Sequence, residues 1–198
     1  IEQARVVGKA KSGVLRLTVP WSAYKIIIAP VLSGFQKAYP EIRLEMSFNE
    51  GLVDIVQEGF HAGFRLGDRL TDGMVATRLT PPLMAAYSAS PGYLAQHGCP
   101  EHPGDLLAHK CIRYRCVSAN RVADWLFMVD GRTVTVDPPA HLVFDDFRGV
   151  IEAARNGHGI GWSLRRVVED ELSENSLETV LDPYVIEHPP FYIFYPEQ

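Results

Sequence analysis

Two stretches of strict alternation limit the folds open to this chain more than any other feature. Leu15, Leu17 and Val19 alternate with Arg16 and Thr18, and Ile42, Leu44, Met46 and Phe48 alternate with Arg43, Glu45 and Ser47. Period two puts the apolar side chains on one face of a strand. Between them Pro30 suits a first helical turn, and Val31, Leu32, Phe35, Ala38 and Tyr39 recur at helical spacing until Pro40. Two strands joined through a helix are parallel, because a hairpin needs only a short turn. A second short helix is expected from Leu52 to Glu58, with Gly59 as its left-handed cap, and a third strand from His61 to Leu66. Strand, helix, strand, helix, strand is the order of an α/β fold with a parallel sheet.

After Pro81-Pro82 the texture changes, and a second α/β unit of similar size is expected from there. Leu83 to Ser90 opens it, short helical pieces run to Lys110, and Cys111 to Arg115 reads as a strand. Asp130-Gly131 supplies the positive φ of a tight turn between Trp125–Val129 and Thr133–Asp137. Strand Leu142–Phe144 leads to a helix opened by Asp145 or Asp146, faced by Phe147, Val150, Ile151 and Ala154 and closed by Gly157. A short strand Gly159–Ser163, a charged surface helix Leu164–Leu172 and a last apolar strand around Tyr192 and Phe194 complete the pattern. Ile1 to Ser12 is polar and reads as the end of a linker.

Charge and composition narrow the function. With 19 Lys+Arg against 24 Asp+Glu, the net charge of -5 opposes a direct grip on nucleic-acid phosphates. The most apolar stretches, such as Trp21 to Pro30, are far shorter than the roughly 20 residues that span a bilayer. Three cysteines, an odd number, argue for the reducing cytoplasm. His97-x-Cys99-x-x-His102 with His109, Cys111 and Cys116 lacks the paired spacing of a structural zinc site, so no metal is expected. Gly157-x-Gly159-x-Gly161 closes a helix and opens a strand, the reverse of a dinucleotide fingerprint; it reads as a helix stop followed by two sites of close backbone approach. No nucleophile elbow or phosphate loop is present, so neither a cofactor nor catalysis is expected. In open parallel sheets, ligands collect where strand ends lead into helix starts. The residues so placed are Ser22 and Tyr24, Asn49 and Glu50, and Arg65, with Asp145 in the second unit. Ser22 and Asn49 could equally cap helices, and Arg65 could pair with a nearby acid.

Several motifs, in order, resemble the effector-binding domain of LysR-type transcriptional regulators. They are Gly13-Val14-Leu15-Arg16-Leu17, Ala29-Pro30-x-Leu32-x-x-Phe35-x-x-x-Tyr39-Pro40, Val53-Asp54-Ile55-Val56-x-Glu58-Gly59 and Phe64-Arg65-x-Gly67. The second unit adds Ala89-Ser90-Pro91-x-Tyr93-Leu94-x-x-x-Gly98-x-Pro100, Asp105-Leu106-x-x-His109-x-Cys111 and Ala154-x-x-Gly157-x-Gly159-Ile160. The resemblance implies two Rossmann-like lobes of the type 2 periplasmic-binding-protein plan joined by crossover strands, a small-molecule site in the cleft, and a DNA-binding helix-turn-helix domain ahead of this chain. The expected division is a linker remnant over 1–12, lobe I over 13–84, lobe II over 85–186 and a return strand over 187–198. The expected effector is a small organic acid, an amino or hydroxy acid included, held by Ser22, Tyr24, Asn49, Glu50 and Arg65 from the first lobe and Tyr114 and Asp145 from the second. A homodimer or homotetramer is expected, pairing helix Val31–Tyr39 of one subunit with helix Phe147–Ala154 of another. The competing readings are a free solute-binding protein of the periplasmic type and an enzyme on the same scaffold. Two departures stand out: His61 replaces the Asp common in the family pattern, and the chain stops at Gln198, where the family continues into a final helix.

Overall fold

A computed structural model describes residues 12–51, 53–67 and 73–197; the reading of residues 1–11 as a linker lies outside these. The first strand, β1 (Gly13–Val19), runs through Pro20 straight into α1 (Trp21–Ala23), a π-helical stretch (Tyr24–Ile28) and α2 (Ala29–Ala38). The helix therefore opens at Trp21, well before Pro30. Pro30 has no N–H to donate and its ring crowds the carbonyl four residues back. The widened π turn just ahead of it, in which the Ala29 N–H reaches Tyr24 O, lets the chain pass this position without a break. Ala23, Ile26 and Ile28 are buried, whereas no side chain of α2 is.

Strand β2 (Ile42–Phe48) pairs parallel with β1 along its whole length, Gly13 opposite Ile42 and Val19 opposite Phe48. The helix expected over 52–58 is a single turn over the described residues 53–59, and Leu52 lies outside them. Asp54 Oδ1 accepts from the Val56 and Gln57 N–H groups, and Gly59 at φ +71 ends the turn before a second can form. Strand β3 (Ala62–Leu66) joins the other side of β1 in parallel. His61 secures that junction: its Nδ1 accepts the Arg16 N–H at 2.9 Å and its own N–H donates to Arg16 O at 2.8 Å. At the position where the resemblance leads one to expect Asp, the imidazole supplies the acceptor. An unanticipated strand, β4 (Met74–Arg78), follows.

One compact unit closes at Pro81 and resumes from Pro189; the other spans Pro82–His188. The second unit begins with the almost wholly buried β5 (Leu83–Ala89) and α3 (Pro91–His97), where Ser90 Oγ accepts the Tyr93 N–H. A 3-10 turn over Pro103–Ala108, capped by His102 and Asp105, leads to β6 (Cys111–Cys116). β7 (Arg121–Val122) and the hairpin of β8 (Trp125–Val129) and β9 (Arg132–Val136) follow, turning at Asp130 (φ 50) and Gly131 (φ 73). Then come β10 (Ala140–Phe144), α4 (Phe147–Arg155) and β11 (Ile160–Leu164). The charged helix expected over Leu164–Leu172 is split into a 3-10 turn (Arg165–Val167) and α5 (Glu169–Ser173), because Val168 at φ -107, ψ 13 leaves helical geometry and both Val167 and Val168 turn inward. The short β12 (Glu178–Val180) and β13 (Glu187–His188) both pair antiparallel with β5.

The last strand, β14 (Phe191–Pro196), returns to the first unit between β3 and β4, antiparallel to both. The sheet orders are β2-β1-β3-β14-β4 and β10-β6-β11-β5-β12. Each sheet is parallel over the three strands that carry crossover connections and antiparallel beyond them. In the second unit Tyr87 stacks on Phe127 at 4.4 Å and meets Trp125 edge-on at 5.0 Å. Arg113, 2% exposed, reaches out of this core to Asp137 and to the carbonyls of Pro138 and Ala123, tying the hairpin to the sheet.

Candidate functional site

The parallel register brings the carboxyl ends of β1, β2 and β3 to one edge of the first sheet, and the sequence-selected residues of that unit lie along it. Ser22 is buried in the first turn after β1. Tyr24 meets Phe48 edge-to-face at 5.3 Å. Asn49 is exposed and folds its own turn, its Oδ1 accepting the Gly51 N–H at 2.8 Å. Glu50 accepts the Trp21 N–H at 3.0 Å, so a carboxylate of the protein itself already stands at the start of this helix, where the free N–H groups and the dipole favour negative charge. Arg65 differs from these. It is partly buried, its guanidinium lies 4.8 Å from the centre of the Phe194 ring, and among the described residues no carboxylate pairs with it. Burial lowers its pKa below the ordinary arginine value, yet a guanidinium keeps its charge at neutral pH.

In the second unit the carboxyl ends of β6 and β10 meet at Tyr114 opposite Phe144. Tyr114 is buried and lies flat on Phe147 at 4.5 Å and 4°. Asp145 is exposed, and the neighbouring Asp146 opens α4 by accepting the Arg148 N–H. The Arg148 guanidinium, bonded to the Asp146 carboxylate, holds that carboxyl below its usual pKa. Two further rings extend the Tyr114–Phe147 pair: Trp162 at 5.3 Å from Phe147, and His188 at 5.2 Å from Trp162. Sequence reasoning selected Tyr114 and missed the other three, which come from α4, β11 and β13. Desolvation holds His188 below the ordinary histidine pKa.

The His/Cys cluster serves packing. Tyr93 is its hub: the Lys110 N–H donates to its hydroxyl at 3.0 Å, and that hydroxyl lies 3.2 Å from His109 Nδ1. Cys111 is buried, its thiol pushed up to about 12 by desolvation. Among the described residues no three His, Cys, Asp or Glu side chains converge as a metal site would require. A groove of about 180 Å³ lined by His109, Lys110, Pro139 and His141 lies at the amino ends of β6 and β10, away from Tyr114. The glycine run does what its spacing suggested: a Cβ on Gly159 would stand 2.3 Å from Lys110 O, and one on Gly161 2.8 Å from Val150 Cγ1. Among the described residues no helix is long and apolar enough to cross a membrane.

Residues 8–198 match the family described as LysR substrate binding domain. The HTH-type transcriptional regulator YcaN of Escherichia coli K12 is 34% identical over 187 residues, covering 94% of this chain and 61% of that protein. The HTH-type transcriptional regulator PgrR of the same organism is 31% identical over 187 residues, covering 94% of this chain and 62% of that protein. The chain thus spans about three fifths of the length of these relatives. Among solved structures, CrgA, a LysR-type transcriptional regulator from Neisseria meningitidis, superposes with a TM-score of 0.83 at 23% identity, covering 94% of this chain and 62% of that one. The regulatory domain of AphB from Vibrio vulnificus gives 0.78 at 22% identity, covering 93% and 91%.

Proposed function

The chain belongs to the LysR substrate-binding domain family, with the two-unit type 2 periplasmic-binding-protein plan, and from that premise we propose how it senses its effector. It binds a small organic acid at the carboxyl ends of the parallel strands, with Arg65 as the anion-binding residue. Arg65 carries this reading: a partly desolvated guanidinium without a carboxylate partner among the described residues offers a bidentate seat for a ligand carboxylate. Tyr24 lies on the same strand-end edge, and Asn49 and Glu50 shape it through the bonds they make to the backbone. Binding to one arrangement of the protein in preference to another is the means by which such a ligand shifts the regulator's state. Sensing, and not turnover, is the role of this domain.

The relatives YcaN and PgrR are HTH-type regulators longer than this chain. We infer that the whole protein reaches DNA through a helix-turn-helix domain of its own, and that it acts in the cytoplasm, where the chromosome is. Homodimerisation is supported by α2, which buries no side chain and leaves Val31 60% exposed. Polar Arg148, Glu152 and Arg155 mark the outer face of α4, the surface offered to the partner's α2.

A thermal-shift screen of carboxylic, hydroxy and amino acids on wild type and Arg65→Ala tests the site. An acid that raises the melting temperature of wild type should leave Arg65→Ala unshifted. The ligand-free variant should melt within a few degrees of wild type, since removing a cation–π contact at a partly exposed site costs about 0.5–1 kcal/mol. A large drop in melting temperature with acid binding intact would make Arg65 structural and end this assignment.

A further inference from the structure

We propose that Asn156 is a site of spontaneous deamidation, with Glu152 as the clasp that holds the reaction back while α4 is intact. Asn156-Gly157 is the only Asn-Gly pair in the sequence. The pairing follows from how α4 ends: Asn156 is the C-cap residue, and Gly157 takes φ +78, a turn that an L side chain enters only with strain. The residue that lets the helix stop is also the one whose peptide nitrogen has no side chain of its own to shield it. Asn156 is exposed, so water reaches it. In the reaction the Gly157 nitrogen, giving up its proton to hydroxide or water, attacks Asn156 Cγ. The Cγ–Nδ2 bond breaks, and that nitrogen takes up a proton and leaves as ammonia. Water then opens the cyclic imide at one carbonyl or the other, leaving aspartate or isoaspartate.

Both reacting groups are engaged in the folded chain. Asn156 Nδ2 donates to Glu152 O at 2.8 Å and to Glu152 Oε1 at 2.9 Å, which draws the side-chain amide back over the preceding turn. Glu152 Oε2 accepts from Arg155 Nη1 at 3.3 Å, so the carboxylate is itself steadied. The Gly157 N–H donates to Ala154 O at 3.1 Å. That carbonyl also receives the Ser90 N–H at 3.3 Å, tying the end of α4 to the start of α3. Attack therefore waits for the last turn of α4 to open, and hydrogen bonds of exposed groups at an element's end open most readily. The product cannot return to the clasp. Aspartate at position 156 has no side-chain N–H for the Glu152 oxygens and sets a second negative charge beside that carboxylate, at the negative end of the helix dipole. Isoaspartate lengthens the backbone by a methylene just ahead of Gly159, whose approach to Lys110 O leaves no room for a Cβ. Each opening that ends in reaction thus loosens the junction of α4 with β11 irreversibly, and the site records how often the end of α4 frays.

The test ages wild type, Glu152→Ala, Glu152→Gln and Asn156→Gln at mildly alkaline pH, and wild type also in urea, all at one protein concentration so that self-association is common to them. Peptide mapping by mass spectrometry follows conversion at position 156, and isoaspartate methyltransferase labels the branched product. Folded wild type should convert roughly tenfold or more slowly than the urea-unfolded chain. Glu152→Ala should convert roughly two- to tenfold faster than folded wild type, as loss of a hydrogen bond to a charged acceptor predicts. Glu152→Gln keeps an oxygen acceptor and should fall between the two. Aged wild type should melt below fresh protein, whereas Asn156→Gln, whose longer side chain closes its ring far more slowly, should not change with age. Wild type that converts as fast folded as in urea, or that keeps its asparagine even in urea, overturns the proposal. So does a folded Glu152→Ala that converts no faster than wild type. Should Glu152→Ala fail to fold, the same comparison is made with Glu152→Gln, and a rate no faster than wild type overturns the proposal there.

Discussion

At the scale of single residues, the informative positions are those where a side chain closes a backbone gap. His61 stands where the resemblance leads one to expect Asp, and its Nδ1 accepts the Arg16 N–H. The imidazole nitrogen that accepts must be unprotonated, which places the ring proton on Nε2. His61→Asp preserves an acceptor and should leave the urea midpoint close to wild type. His61→Leu leaves the Arg16 N–H without a partner at the β1–β3 junction and should lower unfolding free energy by about 1–3 kcal/mol. Equal midpoints for the two variants would show that water replaces the imidazole at no cost. Glu50 teaches a related lesson: a residue can stand at a strand end, in the position expected of a ligand contact, and be engaged in starting a helix.

At the scale of elements, α4 and β11 are held together by an absence of side chains. Gly161 admits Val150, and Gly159 sits so close to Lys110 O that a Cβ there would overlap backbone. At φ +149 that residue is also in a region that L side chains rarely adopt. Backbone cannot swing aside as a flexible side chain can, so Gly159→Ala should cost roughly 1–3 kcal/mol or more, from overpacking and backbone strain together. Gly92→Ala, where a Cβ meets nothing within 4 Å, is the control and should stay within about 0.5 kcal/mol of wild type. Chemical denaturation of the two variants side by side decides it; equal stabilities would mean that the strand end relaxes freely. The π stretch ahead of Pro30 is the other element-scale device, since it keeps one helix running where a proline would ordinarily have ended or kinked it.

For the whole molecule, the titrating groups set a pH window. His188 is held below its ordinary pKa by desolvation, with Trp162 against its ring; His109 is held low by desolvation and then by His97, with Asp105 opposing. A base depressed in the folded state is protonated first in the unfolded chain, so stability is lost as pH falls below about 6.5. Asp146, depressed by Arg148, adds loss in the same direction only below about pH 4. Cys111, Cys116 and Tyr87 are raised by burial, so stability declines again above the ordinary cysteine range, near pH 8.5. The melting temperature should therefore be highest between about pH 7 and 8 and fall toward pH 5.5. His188→Asn should flatten the acid limb, and a limb unchanged by that substitution together with His109→Asn would place the protonation elsewhere.

Periodicity alone determined β1, β2 and α4, because in each the inward face is written into consecutive residues and needs no distant partner to define it. The Asp130-Gly131 turn and the two close approaches at Gly159 and Gly161 were legible for the same reason, since local geometry demands those residue types. Strands β4, β12 and β13 were not legible. They are too short or too mixed in pattern to be strands by themselves, and exist because β14 and β5 offer them an open edge. The candidate site divides likewise. Arg65 could be chosen from its place at the carboxyl end of a strand pattern, whereas the loss of Asn49 and Glu50 to turn and helix start, and the row from Tyr114 to His188, depend on which side chains meet. Those meetings join residues far apart along the chain, and only the packing of one sheet, with β5 between Trp162 and His188, brings the rings together.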